Sequence, residues 1–248
     1  MKRRAVLGTV ALGLLSVFAV ASHAQSPAGA PTAQVFGVPF ECRDAIADGT
    51  ADCESALLIQ VRARVAQAFV AQYGLEATGA ELARLQAYNR SFERHDRSQR
   101  ARKLAELQTR LAAEGLAPSE RERLEAFRTV LLRLAHYEAD VDAGIEPRVV
   151  PDEQTLRGWI ETAKLNAALY AKYGGTIGLA PYGPYAHGAM RMLIAEHVAR
   201  GDIRILDAAV AARFFAALDA PPRLAHTGGE PDFTPFWERP IPPSYLSD

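Results

Sequence analysis

Ala71-Gln72-Tyr73-Gly74-Leu75-Glu76-Ala77-Thr78-Gly79-Ala80-Glu81-Leu82 closes one helix and opens the next, and this pairing decides the fold class. Glycine after a run of apolar residues at three- and four-residue spacing is the expected helix stop. Thr78 with Glu81 three residues on forms a capping box, in which each residue's side chain satisfies the other's backbone N–H. Upstream, Ala56, Ile59, Val61, Val65, Ala68, Phe69 and Gln72 predict one amphipathic helix from about Glu54 to Tyr73. Downstream, Leu82, Leu85 and Tyr88 or Asn89 are the inner stripe of a second helix. Arg90 to Arg102 is dense in charge and reads either as a solvated helix or as a break between helices, and Leu104, Leu107 and Leu111 then resume an apolar face.

The same signals recur towards the C-terminus. Pro118-Ser119-Glu120-Arg121-Glu122 predicts a helix start, followed by Leu124, Phe127, Val130, Leu131 and Leu134 as its buried stripe. Gly144, Pro147 and Pro151 mark a turn, after which Asp152 caps a helix running to Tyr173 with Leu156, Ile160, Ala163, Ala167 and Tyr170 facing inward. Thr176 to Leu179 is read as one short strand, and helices are expected at about 184–199 and 207–218. Neither a fixed-period repeat nor strand–helix alternation is present. The predicted fold is therefore mainly α, an irregular multi-helix bundle with one or two very short strands. The domain plan is a signal peptide at 1–24, a flexible linker at 25–33 and a single helical domain over 34–248.

The leader is read from Met1-Lys2-Arg3-Arg4, an uncharged run from Ala5 to Ala21, and the small-x-small site Ser22-His23-Ala24. The run is short for a bilayer span and contains Gly8, Gly13 and Ser16. Export, most simply to a periplasm, is expected, with no stable membrane insertion after cleavage. The leader takes three of the 28 basic residues, so 25 remain against 29 acidic ones, a formal charge of −4. That balance offers no electrostatic footprint for nucleic acid. Cys42 and Cys53 are the only cysteines, and two nearby thiols in an oxidising compartment predict a disulfide.

Val35-Phe36-Gly37-Val38-Pro39-Phe40, followed by the helix that ends in Tyr73-Gly74 and the Thr78 to Glu81 opening, resembles the N-terminal region of the SurA and parvulin-associated (PpiC-type) family of exported chaperones. There a V-N-G-x-P-I strand leads into a helix, and the next helix opens with G-[IL]-x-[VA]-T-x-x-E-[IL]. The likeness spans about residues 34–90; Phe36 stands where the family has a polar turn residue, and the Cys42 to Cys53 stretch is an insertion. The resemblance implies a helical module that binds unfolded or extended polypeptide. Arg100 to Leu218 lacks the alternating strands a parvulin domain needs, so peptidyl-prolyl isomerase activity is not carried over.

Reactive groups are sparse. His136 and Asp140 share a helical face, but no spacing supplies the third and fourth ligands of a metal site. Gly174-Gly175-Thr176 and Gly228-Gly229-Glu230 lack phosphate-loop spacing; no metal and no cofactor is expected. Tyr182, Tyr185 and His187, with His197 nearby, are the place to look for a small exported enzyme, although no nucleophile motif accompanies them and no catalytic residue is assigned. The other readings are a binding module and a structural subunit of an envelope complex. For binding, Tyr182, Tyr185, Phe214, Phe215, Phe236 and Trp237 form the candidate client groove, on the view that the aromatic tail either seals the core or lines a cleft.

Overall fold

The first two helices take their boundaries from short local interactions. In the computed structural model, which describes residues 31–42 and 52–243, α1 (Cys53–Tyr73) begins where the Asp52 carboxylate accepts from the Ser55 N–H at 2.7 Å and ends at Gly74 in the left-handed conformation. The capping box then starts α2 (Gly79–Ala112): Thr78 Oγ1 accepts from the Glu81 N–H at 3.2 Å, and the Glu81 carboxylate accepts from the Thr78 N–H at 2.8 Å. The charge-dense stretch from Arg90 to Arg102 does not interrupt this helix. Four more helices follow among the described residues: α3 (Pro118–Asp142), α4 (Glu153–Tyr173), α5 (His187–Arg200) and α6 (Ala208–Asp219). None is long and apolar enough to cross a membrane.

The architecture is mainly helical, as the sequence predicts. Among the described residues the strands are five, each three residues long. β1 (Ala33–Val35) and β2 (Val38–Phe40) form a hairpin, and β5 (Ile203–Ile205) pairs antiparallel with β1 in the order β2-β1-β5. β3 (Gly178–Ala180) pairs with β4 (Gly183–Tyr185), bringing Gly178 opposite Tyr185. That contact is close: a Cβ on Gly178 would collide with the Tyr185 ring. The predicted leader and most of the linker lie outside the described residues. Ala33, placed at the linker's end, opens β1 and is buried.

Three apolar clusters result. The largest joins α1, α5, α6, the three-stranded sheet and the second half of α4 around Leu57, Val61, Val65, Leu169, Ile194 and Phe214. A second holds Leu82, Leu85, Leu156, Ile160 and Trp237. The third, Leu107, Leu124 and Leu131, lies within the α2–α3 hairpin. α4 serves two of them, so its buried side turns between Ile160 and Leu165; Leu165 and Leu169 are buried where Ala167 and Tyr170 were expected, and those two are half-buried. Val130 and Leu134 were expected inside but are exposed, because α3 packs chiefly on α2 and two helices bury only one seam. Ile59 is likewise exposed, while Leu57 and Leu58 take the inner positions of α1.

Cys42 and Cys53 stand at disulfide distance, their Cα atoms 5.0 Å apart; the loop between them, 43–51, falls outside the described residues. The chain after α6 crosses the molecule. Ala225 bridges Gly178, and Leu179 and His226 exchange backbone hydrogen bonds with Leu224 and Ile177 at 2.8 and 2.9 Å. The tail thus adds to the edge of β3. It then passes Tyr170 at Phe233, buries Trp237 in a single 3-10 turn (Phe236–Glu238), and reaches α2 where the Gln99 side-chain amide donates to the Pro243 carbonyl.

Candidate binding groove

The turn between α1 and α2 is tied to α4 and so sets the position of a long surface groove. Arg157 donates to the Ala77 carbonyl at 2.9 Å, the Ala77 N–H donates to Glu161 at 3.1 Å, and Lys164 reaches the Glu76 carbonyl at 2.9 Å and the Glu81 carboxylate at 3.2 Å. The Thr78 N–H foremost, with Lys164 adding to it, holds the Glu81 carboxyl below its ordinary range against the opposing effect of burial. α2 and α4 therefore run side by side in opposite directions. The tail closes the seam between them from above with Trp237.

Where the tail meets α4, a cleft of about 230 Å³ opens between Trp159, Asn166, Tyr182, Pro184, Pro235 and Phe236. Trp159 is 41% exposed and Tyr182 68% exposed, while Trp237 below them is 9% exposed. Phe236 meets Trp237, Tyr88 and Trp159 edge-on, with centroids 4.9, 5.5 and 6.4 Å apart. Edge-on stacking is the arrangement that aromatic quadrupoles prefer, and it fixes the walls. The cleft floor is pinned by Asn166, whose amide donates to the Thr162 carbonyl at 2.8 Å and accepts from the Ala186 N–H at 2.9 Å. No side chain that is charged at neutral pH lines this section.

Trp159 also lines the next section, with Gln86, Arg90, Val149, Val150 and Pro151. Beyond it Glu93, Arg97 and Arg148 continue the surface towards α3. The side chains are braced there: Arg97 donates to Asp142 at 2.7 Å and to Glu93 at 3.3 Å, and Arg148 donates to Asp142 at 2.9 Å and pairs with Glu93. The Arg97 hydrogen bond is the main reason the Asp142 carboxyl lies below its usual range; burial opposes it. Arg100 bridges Asp96 and Glu138. Along α4 and α2 together, the groove extends for about 25 Å at the helical rise per residue. An extended segment of about seven residues matches that length.

Of the residues expected in a client groove, the structure brings Tyr182, Phe236 and Trp237 together. It does not bring the other three. Phe214 is fully buried in the main core, because its helix packs that face against α1; Phe215, on the neighbouring face, is 38% exposed and meets the Phe214 ring edge-on. Tyr185 turns to the far side of β4, over Gly178 and beside His187. Trp159, Val149, Val150 and Arg90 were missed. Trp159 sits at one remove from the Leu156/Ile160 stripe, a position that periodicity assigns to solvent.

Among the described residues, His187 and His197 each bond to groups of their own neighbourhood. His187 Nε2 is 2.9 Å from the Ala220 carbonyl and donates to it. His197 is buried at the end of α5, with Nδ1 2.8 Å from Asp202 and the Arg200 guanidinium within 3.2 Å of both ring nitrogens. Its neighbours brace a helix terminus, and none is a nucleophile. His136 and Asp140 do share a face, 3.9 Å apart; among the described residues no group of three potential metal ligands forms. Compared with protein-family models, with curated proteins and with solved structures, the chain finds no match.

Proposed function

We propose that the protein is an exported, most simply periplasmic, chaperone-like module that binds unfolded or extended polypeptide in the groove between α2, α4 and the tail, and that it carries no parvulin isomerase domain. The observation that supports this reading is the aromatic cleft: Trp159, Tyr182 and Phe236 present ring surface to solvent in a fixed concave arrangement free of charge. Large apolar side chains held open in this way serve recognition, since a soluble chain otherwise keeps such patches small. Ring faces and proline edges accept many apolar side chains without demanding one sequence, which suits a holder of varied clients. The helical, single-disulfide body supplies a rigid support for it.

The test is a pair of measurements on the chain without residues 1–24. The protein should delay aggregation of a chemically unfolded client at near-stoichiometric amounts, and it should bind aromatic-rich peptides with a change in tryptophan fluorescence. Absence of both effects would dispose of the reading. The cleft lies against a single chain's own helices and tail, so a peptide bound there should protect α4 and the tail from hydrogen exchange.

A further inference from the structure

We propose that the groove also selects by charge: it takes an extended polypeptide segment whose apolar side chains enter at Trp159 and Tyr182 and whose acidic side chain lies against Arg90 and Arg94. This rests on the reading of the groove as a polypeptide-binding surface.

Arg90 and Arg94 are four residues apart on α2 and so share one face; both are exposed. They line the section of the groove that adjoins Val150, together with Arg97 and Arg148 and a single carboxylate, Glu93. The charges of Arg97 and Arg148 are already met. Both pair with Glu93 and Asp142, and Glu138 is taken by Arg97 and Arg100. Among the described residues neither Arg90 nor Arg94 meets a carboxylate; Arg94 only donates to the Ser91 hydroxyl, at 3.1 Å. Two cations therefore stand unanswered at the edge of an apolar track, in a chain whose overall charge is slightly negative.

Such charges at a rim choose among partners and speed their approach more than they tighten the final complex. Their placement also sets a spacing. From Gln86, which lines the same section as Trp159, to Arg94 the helix rises about 12 Å. An extended chain covers that distance in about four residues. The best occupant thus carries an aromatic residue and, about four positions away, an aspartate or glutamate.

The probes are three synthetic peptides of equal length and aromatic content, differing only in whether that second position holds Glu, Gln or Lys. Binding is read from the fluorescence of Trp159 in a Trp237→Phe background, at low and at high salt. The Glu peptide should bind at least about fivefold more tightly than the Lys peptide at low salt, and the gap should shrink as salt screens it. Arg90→Glu with Arg94→Glu should invert the order, and Arg90→Gln with Arg94→Gln should abolish it; both pairs are exposed substitutions expected to leave the thermal midpoint within a few degrees. Equal binding of all three peptides by the parent protein overturns the charge proposal and leaves polypeptide binding standing. Binding of none of them overturns both. Displacement of the Glu peptide by an equal concentration of single-stranded oligonucleotide also overturns the proposal, since the arginines would then be serving phosphate.

Discussion

Nδ1 of His197 and the carboxylate of Asp202 stand 2.8 Å apart just past the end of α5, and through this contact the N-terminal hairpin is fastened to the C-terminal half of the chain. The Asp202 N–H donates to the His197 carbonyl at 2.9 Å, and the Asp202 carbonyl accepts from the Phe36 N–H at 2.6 Å. The Phe36 ring meets the His197 ring edge-on at 4.9 Å. One aspartate therefore serves the helix end, the sheet and the turn.

The Asp202 carboxyl is held below its ordinary range, first by the His197 hydrogen bond and then by Arg200, against the opposing effect of burial. A carboxyl whose folded pKa is depressed contributes stability that is present above its unfolded value of about 3.9 and is lost as pH falls through the lowered folded value. Asp202→Asn should therefore lower the thermal midpoint at neutral pH. The difference from the parent should narrow as pH falls through that lowered value and the parent's Asp202 carboxyl takes up its proton, the asparagine amide having no charge to lose. Thermal melts across that range check it; a constant gap would assign the effect to packing and not to charge.

Phe36 is the only non-glycine residue with positive φ among the described residues, at 51°, and Gly37 follows at 76°. Two such residues in the two-residue loop between β1 and β2 make the primed turn that matches strand twist, where asparagine and glycine are the comfortable choices. A phenylalanine there costs about 1–2 kcal/mol of backbone strain, offset by about 0.5–1.5 kcal/mol from the edge contact with His197. Phe36→Ala keeps the strain and loses the contact, whereas Phe36→Gly loses both. The glycine variant should thus be the more stable of the two by about 1 kcal/mol in urea unfolding; the reverse order would show that the turn is not strained.

What was legible in the sequence follows from how local each determinant is. The Thr78–Glu81 box, the Gly74 cap and the Asp152 start are decided within four residues, and each forms where its letters place it. β5 was not legible. Ile203-Arg204-Ile205 is too short to show alternation, and its partner β1 lies some 170 positions earlier. The groove was half legible for a related reason: Tyr182, Phe236 and Trp237 carry aromatic surface that any reading would notice, but Phe214 carries the same surface and is buried. Which aromatic residue faces a cleft is settled by which helix lies behind it, and α6 happens to turn Phe214 onto α1. Trp159 shows the converse, since the tail brings Phe236 beside an outward-facing position.

The Cys42–Cys53 pair closes a loop with a sequence separation of 11 and ties β2 to the first turn of α1. In the chain-entropy model a cross-link over so short a loop stabilises by about 2–3 kcal/mol, mainly by restricting the unfolded chain. Cys42→Ser with Cys53→Ser should lower the unfolding free energy by that amount and leave the helical circular dichroism at room temperature unchanged. Addition of a reductant to the parent should reproduce the shift. No change in the denaturation midpoint on reduction would show that the two thiols are not joined in solution.

Trp159 and Trp237 line one cleft from opposite degrees of burial, and that contrast separates folding from binding. Trp237 packs with Leu85, Leu156 and Ile160, so Trp237→Ala removes a buried side chain and should cost about 3–5 kcal/mol. It should also free the tail, seen as faster hydrogen exchange from Phe233 to Pro243. Trp159→Ala removes a part-exposed ring from the middle of the groove, where its two sections meet. Its stability should stay within about 0.5–1 kcal/mol of the parent, as for surface positions in general, while affinity for an aromatic-rich peptide falls about tenfold or more, the loss expected when a ring at the centre of a contact is truncated. Equal peptide affinity for the parent and Trp159→Ala would move the binding site away from this cleft, whatever the stability of either variant.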